Sequence, residues 1–252
     1  MESFFYLNQN GQAIPCRLTR PEGPLERLVL GVHGLAGSMD DEIQTAIAQE
    51  MSLFYAATVR FDLPGHGQNP ESRLTVSGCV DALLAVAREA RRRFPQVEDL
   101  CVFATGFGAY ITLLALPKLG KRVKLVIQTP ALLMHETILS MLQVTEQTLR
   151  AMGQYTLPTA RPLTLTYEFY KELEQNIALA AYPDPMLILY GEADPYIRPE
   201  AIRHFRRLNE NARQVTIPGA SHRFLEAGAW DMVLDLTRDW FEFQQVLLTD
   251  WD

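Results

Sequence analysis

Several short stretches of this chain hold residue types that do chemistry, and each falls where a run of β-forming residues ends. "GVHGLAGS" sets His33 and Gly34 ahead of Leu35, Ala36 and Gly37, small residues that let backbone N–H groups face a ligand. "DLPGHGQN", from Asp62 to Asn69, reads as a tight loop containing His66. "ATGFG" carries Gly106 at a sharp turn, "YGEADPYI" carries Asp194 with Glu192 close before it, and "PGASHRF" carries His222. A histidine and a carboxylate brought together make a general base, because the carboxylate fixes the tautomer of the imidazole that takes the proton. In open parallel sheets ligands bind outside the carboxyl ends of the strands, so these loops make one site if the strands before them run side by side.

The elements needed for that are legible. Short β-rich runs alternate with helix-length segments, which predicts an α/β fold with a mostly parallel sheet covered by helices on both faces. "SFFYLNQNGQAIPCRLTRP" breaks at Asn10-Gly11, a hairpin dipeptide, so the first two strands are expected to be antiparallel at one edge. Next come "RLVLGVHG", a helix from about Asp40 to Phe54, "ATVRFDLPGHG", a helix from about Val76 to Phe94, and the strand "DLCVFAT". A helix opens at Gly106 to Gly108, and "VKLVIQTP" follows. After a gap come "PMLILYGEADP", a helix from Pro199, "ARQVTIPG" and a last helix from about Trp230 to Leu247. Pro199 suits a first-turn position, where its missing N–H costs nothing. The gap between "VKLVIQTP" and "PMLILYG", roughly 50 residues, is too long for an ordinary connection. That segment, about Leu132 to Tyr182, is expected to be a cap or lid inserted in a single domain of residues 1–252. It reads as helical in "HETILSMLQVTEQTLRAM", as turns and a short strand in "YTLPTARPLTLTYEF", and as helical again in "YEFYKELEQNIAL".

The chain has 252 residues, 48% hydrophobic and 21% charged, enough to bury one large core. A formal net charge of -7 opposes nucleic-acid partners, whose binding needs a basic face. The basic run Arg88, Arg91, Arg92 and Arg93 reads as the solvated C-terminal end of a helix, where the dipole favours cations. Cys16, Cys79 and Cys101 are too scattered for a disulfide framework or a zinc site and read as small buried hydrophobes in a reducing compartment. "MESFFYLNQNGQ" lacks the basic start and long apolar run of a secretory signal, and no stretch nears the roughly 20 apolar residues that span a bilayer. A soluble cytoplasmic protein without metal or organic cofactor is expected. A dinucleotide loop in "GFGAYI" is disfavoured, because Ile111 stands in place of the third glycine and no acidic residue ends "VKLVIQT" to hold a ribose.

Together, His33-Gly34 after the third strand, "DLPGHG" after the fourth, the strand-turn-helix at Gly106, "GEADP" after the seventh and "GASHRF" after the eighth resemble the α/β-hydrolase family over almost the whole chain. The cap position and the "SHRF" ending look most like small bacterial carboxylesterases, including cinnamoyl or feruloyl esterase-like and serine peptidase-like hydrolases. The resemblance implies an α/β-hydrolase fold with an eight-stranded sheet, and a chain order of nucleophile, acid and histidine that positions 106, 194 and 222 meet. It also implies an oxyanion hole made by the backbone N–H groups of Leu35 and Phe107. Asp194 is then the acid that orients His222, with Glu192 as the alternative, and His33 and His66 support their loops. His135 and His204 read as cap and helix-surface residues. Trp230, Trp240 and Trp251 read as packing for the last helix.

One position departs from the family pattern. Family members place serine at the centre of small-x-Ser-x-Gly, whereas Ala104-Thr105-Gly106-Phe107-Gly108 has glycine there. Thr105 lies one position early on the strand, where alternation is expected to turn its hydroxyl away from the site. Ser38 and Ser221 are not expected to be placed for in-line attack. A hydroxyl is a weak nucleophile until an imidazole takes its proton, and losing it costs on the order of 10⁶ in rate, about 8 kcal/mol of barrier. The nucleophile of such an elbow holds a positive φ at a strain of about 1–3 kcal/mol, which glycine relieves. The chain is therefore expected to be a carboxylesterase scaffold of the Ser-His-Asp type, for small or aromatic acyl esters, without its nucleophile. Two alternatives remain open: a noncatalytic binding or regulatory protein that keeps the pocket as a receptor, and a His222–Asp194 dyad that acts as general base on water or on a substrate proton. The expected partner is in each case a small ester or acyl ligand.

Overall fold

Alternation with a period of two ends at Gly11, whose φ of +80° turns the chain back on itself. There β1 (Glu2–Gln9) and β2 (Gln12–Thr19) pair antiparallel, from Glu2↔Thr19 to Gln9↔Gln12. The computed structural model describes residues 1–9, 11–120, 122–159 and 162–245. Asn10, the other half of the hairpin dipeptide, lies outside them, as do Leu247 and Trp251.

The sheet is completed by β3 (Arg27–Val32), β4 (Ala56–Phe61), β5 (Leu100–Thr105) and β6 (Val123–Gln128). Two later strands, β9 (Met186–Gly191) and β10 (Ala212–Ile217), extend it, while β7 (Gln154–Leu157) and β8 (Leu163–Thr166) pair only with each other. The order across the 8-stranded sheet is β1-β2-β4-β3-β5-β6-β9-β10. It is antiparallel through β2 and β4 and parallel from β4 onward. Such a parallel sheet must be covered on both faces, and its strands accordingly read as continuous apolar runs. Side chains of β5 alternate between the two layers. Leu100, Val102 and Ala104 pack with α2 (Val76–Arg93) and α3 (Gly106–Ala115), while Cys101 and Phe103 pack with α1 (Glu42–Leu53) and, later in the chain, the 229–243 helix.

The predicted helices are present with shifted ends. Thr75 accepts a hydrogen bond from Gly78 N and so starts α2 as its N-cap, as side-chain oxygens do. At its other end Glu89 pairs with Arg92 and Arg93, and Arg93 stacks over the Phe5 ring at 3.7 Å. The segment between β6 and β9, expected as one long helix, a strand and a helix, has a different make-up. Gln143 in the left-handed region divides the first stretch into α4 (Met134–Leu142) and α5 (Glu146–Met152). The expected single strand is the β7–β8 pair, and α6 (Tyr167–Gln175) starts at the Thr166 cap. Two bonds fix α6 to the body: Glu172 accepts from Val76 N at 2.7 Å, and Tyr110 donates to Asn176 O at 2.8 Å. Pro199 does open α7 (Pro199–Leu208), and α8 runs Ala229–Phe243.

Candidate active site

The parallel register brings the ends of β3, β5, β6, β9 and β10 to one edge of the sheet, and the loops after β9 and β10 cross there. Gly191 ends β9 where a β-carbon would stand 2.5 Å from Ala220 O and 2.8 Å from Ser221 O, so only glycine lets the 220–224 loop lie so close. Ala193 N donates to Ala220 O at 2.9 Å and joins the two loops. Their side chains then meet. His222 Nδ1 lies 2.8 Å from Asp194 Oδ2, with the carboxylate fully enclosed and the imidazole 24% exposed. The second carboxylate oxygen is also committed: Oδ1 accepts from Tyr196 N at 2.8 Å and from Ile197 N at 3.1 Å. A carboxylate so bonded leaves Nδ1 of the neutral imidazole as the donor and Nε2 as the acceptor. The Tyr196 ring stands edge-on to the imidazole at 86°, centroids 5.3 Å apart. Glu192, the alternative acid, instead accepts from Gly219 N at 3.0 Å.

Gly106 follows β5 directly and opens α3 with φ of +49°. A β-carbon built on it would lie 3.6 Å from His222 Nε2 and would approach nothing more closely. The two candidate serines are engaged elsewhere. Ser38 donates to Asp41 Oδ1 at 3.3 Å, and Ser221 faces Glu226, whose carboxyl it holds below the usual carboxylate range.

Buried imidazoles hold the neighbouring loops. His33 Nδ1 lies 2.8 Å from Gly34 O and its Nε2 accepts from Leu63 N at 3.1 Å, which fixes the ring as a neutral Nδ1–H tautomer. Burial pushes its pKa down to about 4. His66 Nδ1 lies 2.9 Å from Pro64 O, and its ring stacks at 6.0 Å on Phe107, next to Gly106. Burial and the nearby His33 lower the His66 pKa to about 3. Asp62 accepts from Met39 N and Gln68 N, both at 2.7 Å, and so ties the 33–41 loop to the 62–69 loop. Phe107 sits in the first turn of α3, whose N–H groups have no partner within the helix. Leu35 N is likewise not engaged in the backbone bonds of its turn. His135 lies half-buried on α4 and His204 is exposed on α7.

Leu35, Gly106, Phe107 and His222 line one cavity of about 600 Å³. Thr105, expected to face away, also lines it, with Oγ1 3.5 Å from where a β-carbon on Gly34 would stand. Alternation is kept, since Thr105 shares the face of Cys101 and Phe103. The strand ends there under the Gly34 turn, and the cavity extends around that edge. Trp230 also lines the cavity instead of only packing α8, whereas Trp240 is buried as packing. Gln128, not singled out in the sequence, lines the cavity too, at 2% exposure and with Oε1 unpartnered. A glutamine closing the otherwise apolar strand "VKLVIQ" was the available signal. Among the described residues no three His, Cys, Asp or Glu side chains gather as metal ligands do, and no helix is long and apolar enough to cross a membrane.

With this fold and this loop arrangement, the chain belongs to the alpha/beta hydrolase family, whose sequence profile matches residues 29–235. A search of curated protein sequences finds no match. Among solved structures the chain is similar to Est1E from Butyrivibrio proteoclasticus with ferulic acid bound, at 20% identity and a TM-score of 0.77 over 96% of this chain and 99% of that one. It is similar to alpha/beta hydrolase domain-containing protein 10 from mouse, at 17% identity and a TM-score of 0.77 over 96% and 100% of the two chains. A soluble variant of monoglyceride lipase from Saccharomyces cerevisiae, in complex with a substrate analog, matches at 15% identity and a TM-score of 0.79 over 96% and 94%. At these identities the likeness is one of fold.

Proposed function

We propose that the chain is a carboxylic ester hydrolase scaffold of the Ser-His-Asp type whose nucleophile position is held by Gly106, so that it binds a small or aromatic acyl ester without forming an acyl-enzyme. The observation that carries this is the 3.6 Å between the place of a Gly106 β-carbon and His222 Nε2, the nitrogen left over once Nδ1 has bonded Asp194. One bond beyond that carbon, a serine hydroxyl comes within the roughly 2.6–3.2 Å at which nucleophile and base hydrogen-bond. Asp194 is the orienting acid, His222 the base, and the N–H groups of Leu35 and Phe107 the donors for a developing oxyanion. A cavity of about 600 Å³ falls in the range that encloses small ligands. The segment between β6 and β9 serves as a lid over it, lining it with Met134, Thr137, Met141 and Thr159. That Est1E holds ferulic acid in its structure agrees with an aromatic acyl group here. A cytoplasmic location belongs to the same proposal.

A second role is favoured by the openness of Nε2 toward the cavity. A water held where the serine side chain would be meets a base already set by Asp194, which permits slow hydrolysis with no covalent intermediate.

The test is turnover of p-nitrophenyl and methyl hydroxycinnamate esters by the unaltered chain and by Gly106→Ser, side by side. Hydrolysis by the serine form alone establishes a scaffold lacking its nucleophile. Hydrolysis by the unaltered chain that His222→Ala abolishes establishes the dyad. No turnover by either, with a ligand still bound, makes the chain a receptor and overturns the catalytic assignment.

A further inference from the structure

We infer that Thr105 and Gln128 form a polar subsite in the cavity that takes a hydroxyl group carried on the ligand next to its carbonyl carbon. The subsite rests on the acyl-ester role proposed above. Thr105 and Gln128 are register partners at the ends of the parallel strands β5 and β6, so their side chains leave the same face of the sheet. Their near neighbours on that face are apolar: Phe103 and Val126 stand two residues before them, and Leu189 is the register partner of Gln128 on the other side. Two neutral hydrogen-bonding groups thus stand together at the edge of an apolar wall, inside the cavity.

Neither is committed. Thr105 is the N-cap of α3 yet its side chain makes no capping bond. Gln128 is 2% exposed, and its Oε1 is buried without a partner. A buried amide oxygen left unpaired costs free energy, and a half-turn of the amide that brings it to the cavity side lets a bonding ligand recover that cost.

The geometry sets the chemistry of the group it takes. A charged group here meets no counter-charge from either residue and stays unfavourable, whereas a neutral one does not. A half-turn of the Gln128 amide exchanges donor and acceptor, and a threonine hydroxyl both donates and accepts. A ligand hydroxyl pairs with every one of these arrangements: it donates to Gln128 Oε1 and accepts from Thr105 Oγ1–H, or the reverse. Thr105 adjoins Gly106 in the chain and lies against Gly34, which adjoins Leu35. The subsite therefore abuts the place of the ligand's carbonyl, and the hydroxyl it reads is on the 2-position of the acyl chain and not at a remote end.

Three esters test this on the unaltered protein by calorimetric or NMR titration: methyl 3-phenylpropanoate, its 2-hydroxy derivative and the 2-methoxy ether of that derivative. The hydroxy ester is expected to bind about tenfold more tightly than the other two, the worth of one well-made neutral hydrogen bond. Gln128→Met and Thr105→Val are each expected to erase that preference, bringing the hydroxy ester to the affinity that the same variant shows for the unsubstituted ester. If Gln128→Met does not fold, Thr105→Val at its half-buried site carries the comparison. Equal affinity for all three esters, or a preference that survives both substitutions, overturns the subsite alone. Binding of none of them overturns the acyl-ester role and the subsite with it.

Discussion

The β-carbon that Gly106 lacks would stand 3.6 Å from Nε2 of His222, on a ring whose other nitrogen is 2.8 Å from Asp194. The imidazole is oriented, and its second nitrogen faces a strand-turn-helix position that carries no side chain. Placing a serine side chain there tests the role proposed for the site. Gly106→Ser is expected to raise hydrolysis of p-nitrophenyl esters by about 10³-fold or more, a part of the roughly 10⁶ that a full triad supplies. The same substitution is expected to lower stability by about 1–3 kcal/mol, because a φ of +49° strains any residue but glycine. Denaturant midpoints measured beside the rates check both outcomes.

Asp194 holds the tautomer of His222, and its effect is read most directly with a serine at 106. In the Gly106→Ser background, Asp194→Asn is expected to lower kcat by about 10⁴, since an amide can pair with the wrong tautomer. Glu192→Gln in that background is expected to leave kcat nearly unchanged, because Glu192 bonds Gly219 N and not the imidazole. A large loss in Glu192→Gln would reverse the assignment of the acid.

Gly191 separates positioning from chemistry. A methyl at that position would meet backbone oxygens of Ala220 and Ser221 and the Phe224 ring at 2.7 Å. Gly191→Ala is expected to cost about 1–3 kcal/mol of stability by overpacking. In the Gly106→Ser background it also displaces the 220–224 loop and lowers kcat more than it raises KM. Unchanged kcat with lowered stability would show that the loop yields elsewhere.

Acid should weaken the fold through two buried histidines that hold loops, His33 and His66. The pKa of His33 is lowered by burial to about 4 and that of His66 to about 3, against 6.5 for the free side chain. The unfolded chain therefore binds more protons than the folded one between these values, and stability falls as pH is lowered from about 6.5 toward 4. Above 6.5 both states are neutral and these groups add no pH dependence. Urea midpoints from pH 7 to pH 4 should follow this slope, and His66→Leu should flatten it. An unchanged slope in that variant would assign the acid sensitivity to other groups.

Much of this was legible in the residues because it depends on local signals. Gly11 marks the hairpin, the apolar runs mark parallel strands, and Asp194 and His222 lie just past strands whose neighbours follow from the chain order. What was not legible depends on where elements stop in space. Thr105 keeps its alternation, but the direction of its side chain matters less than the end of β5 beneath the Gly34 turn, which no pattern in "LCVFAT" encodes. Trp230 looked like helix packing because its spacing fits α8, yet it stands at the start of that helix, where the cavity reaches it. The break between α4 and α5 turns on one left-handed residue, Gln143, in a stretch whose spacing is helical throughout. Gln128 was overlooked because one polar residue at the end of an apolar strand reads as the strand's exit to solvent.

Asp194 is held by the backbone N–H groups of Tyr196 and Ile197, and none of its bonds reaches the elbow. The His222–Asp194 pair consequently keeps its shape whatever residue stands at 106. Position 106 is thus a socket, into which a thiol or a carboxylate could be fitted as readily as a hydroxyl, each at the same backbone cost. One scaffold would then compare three kinds of attacking atom against a fixed imidazole, a comparison that enzymes with a built-in nucleophile do not offer.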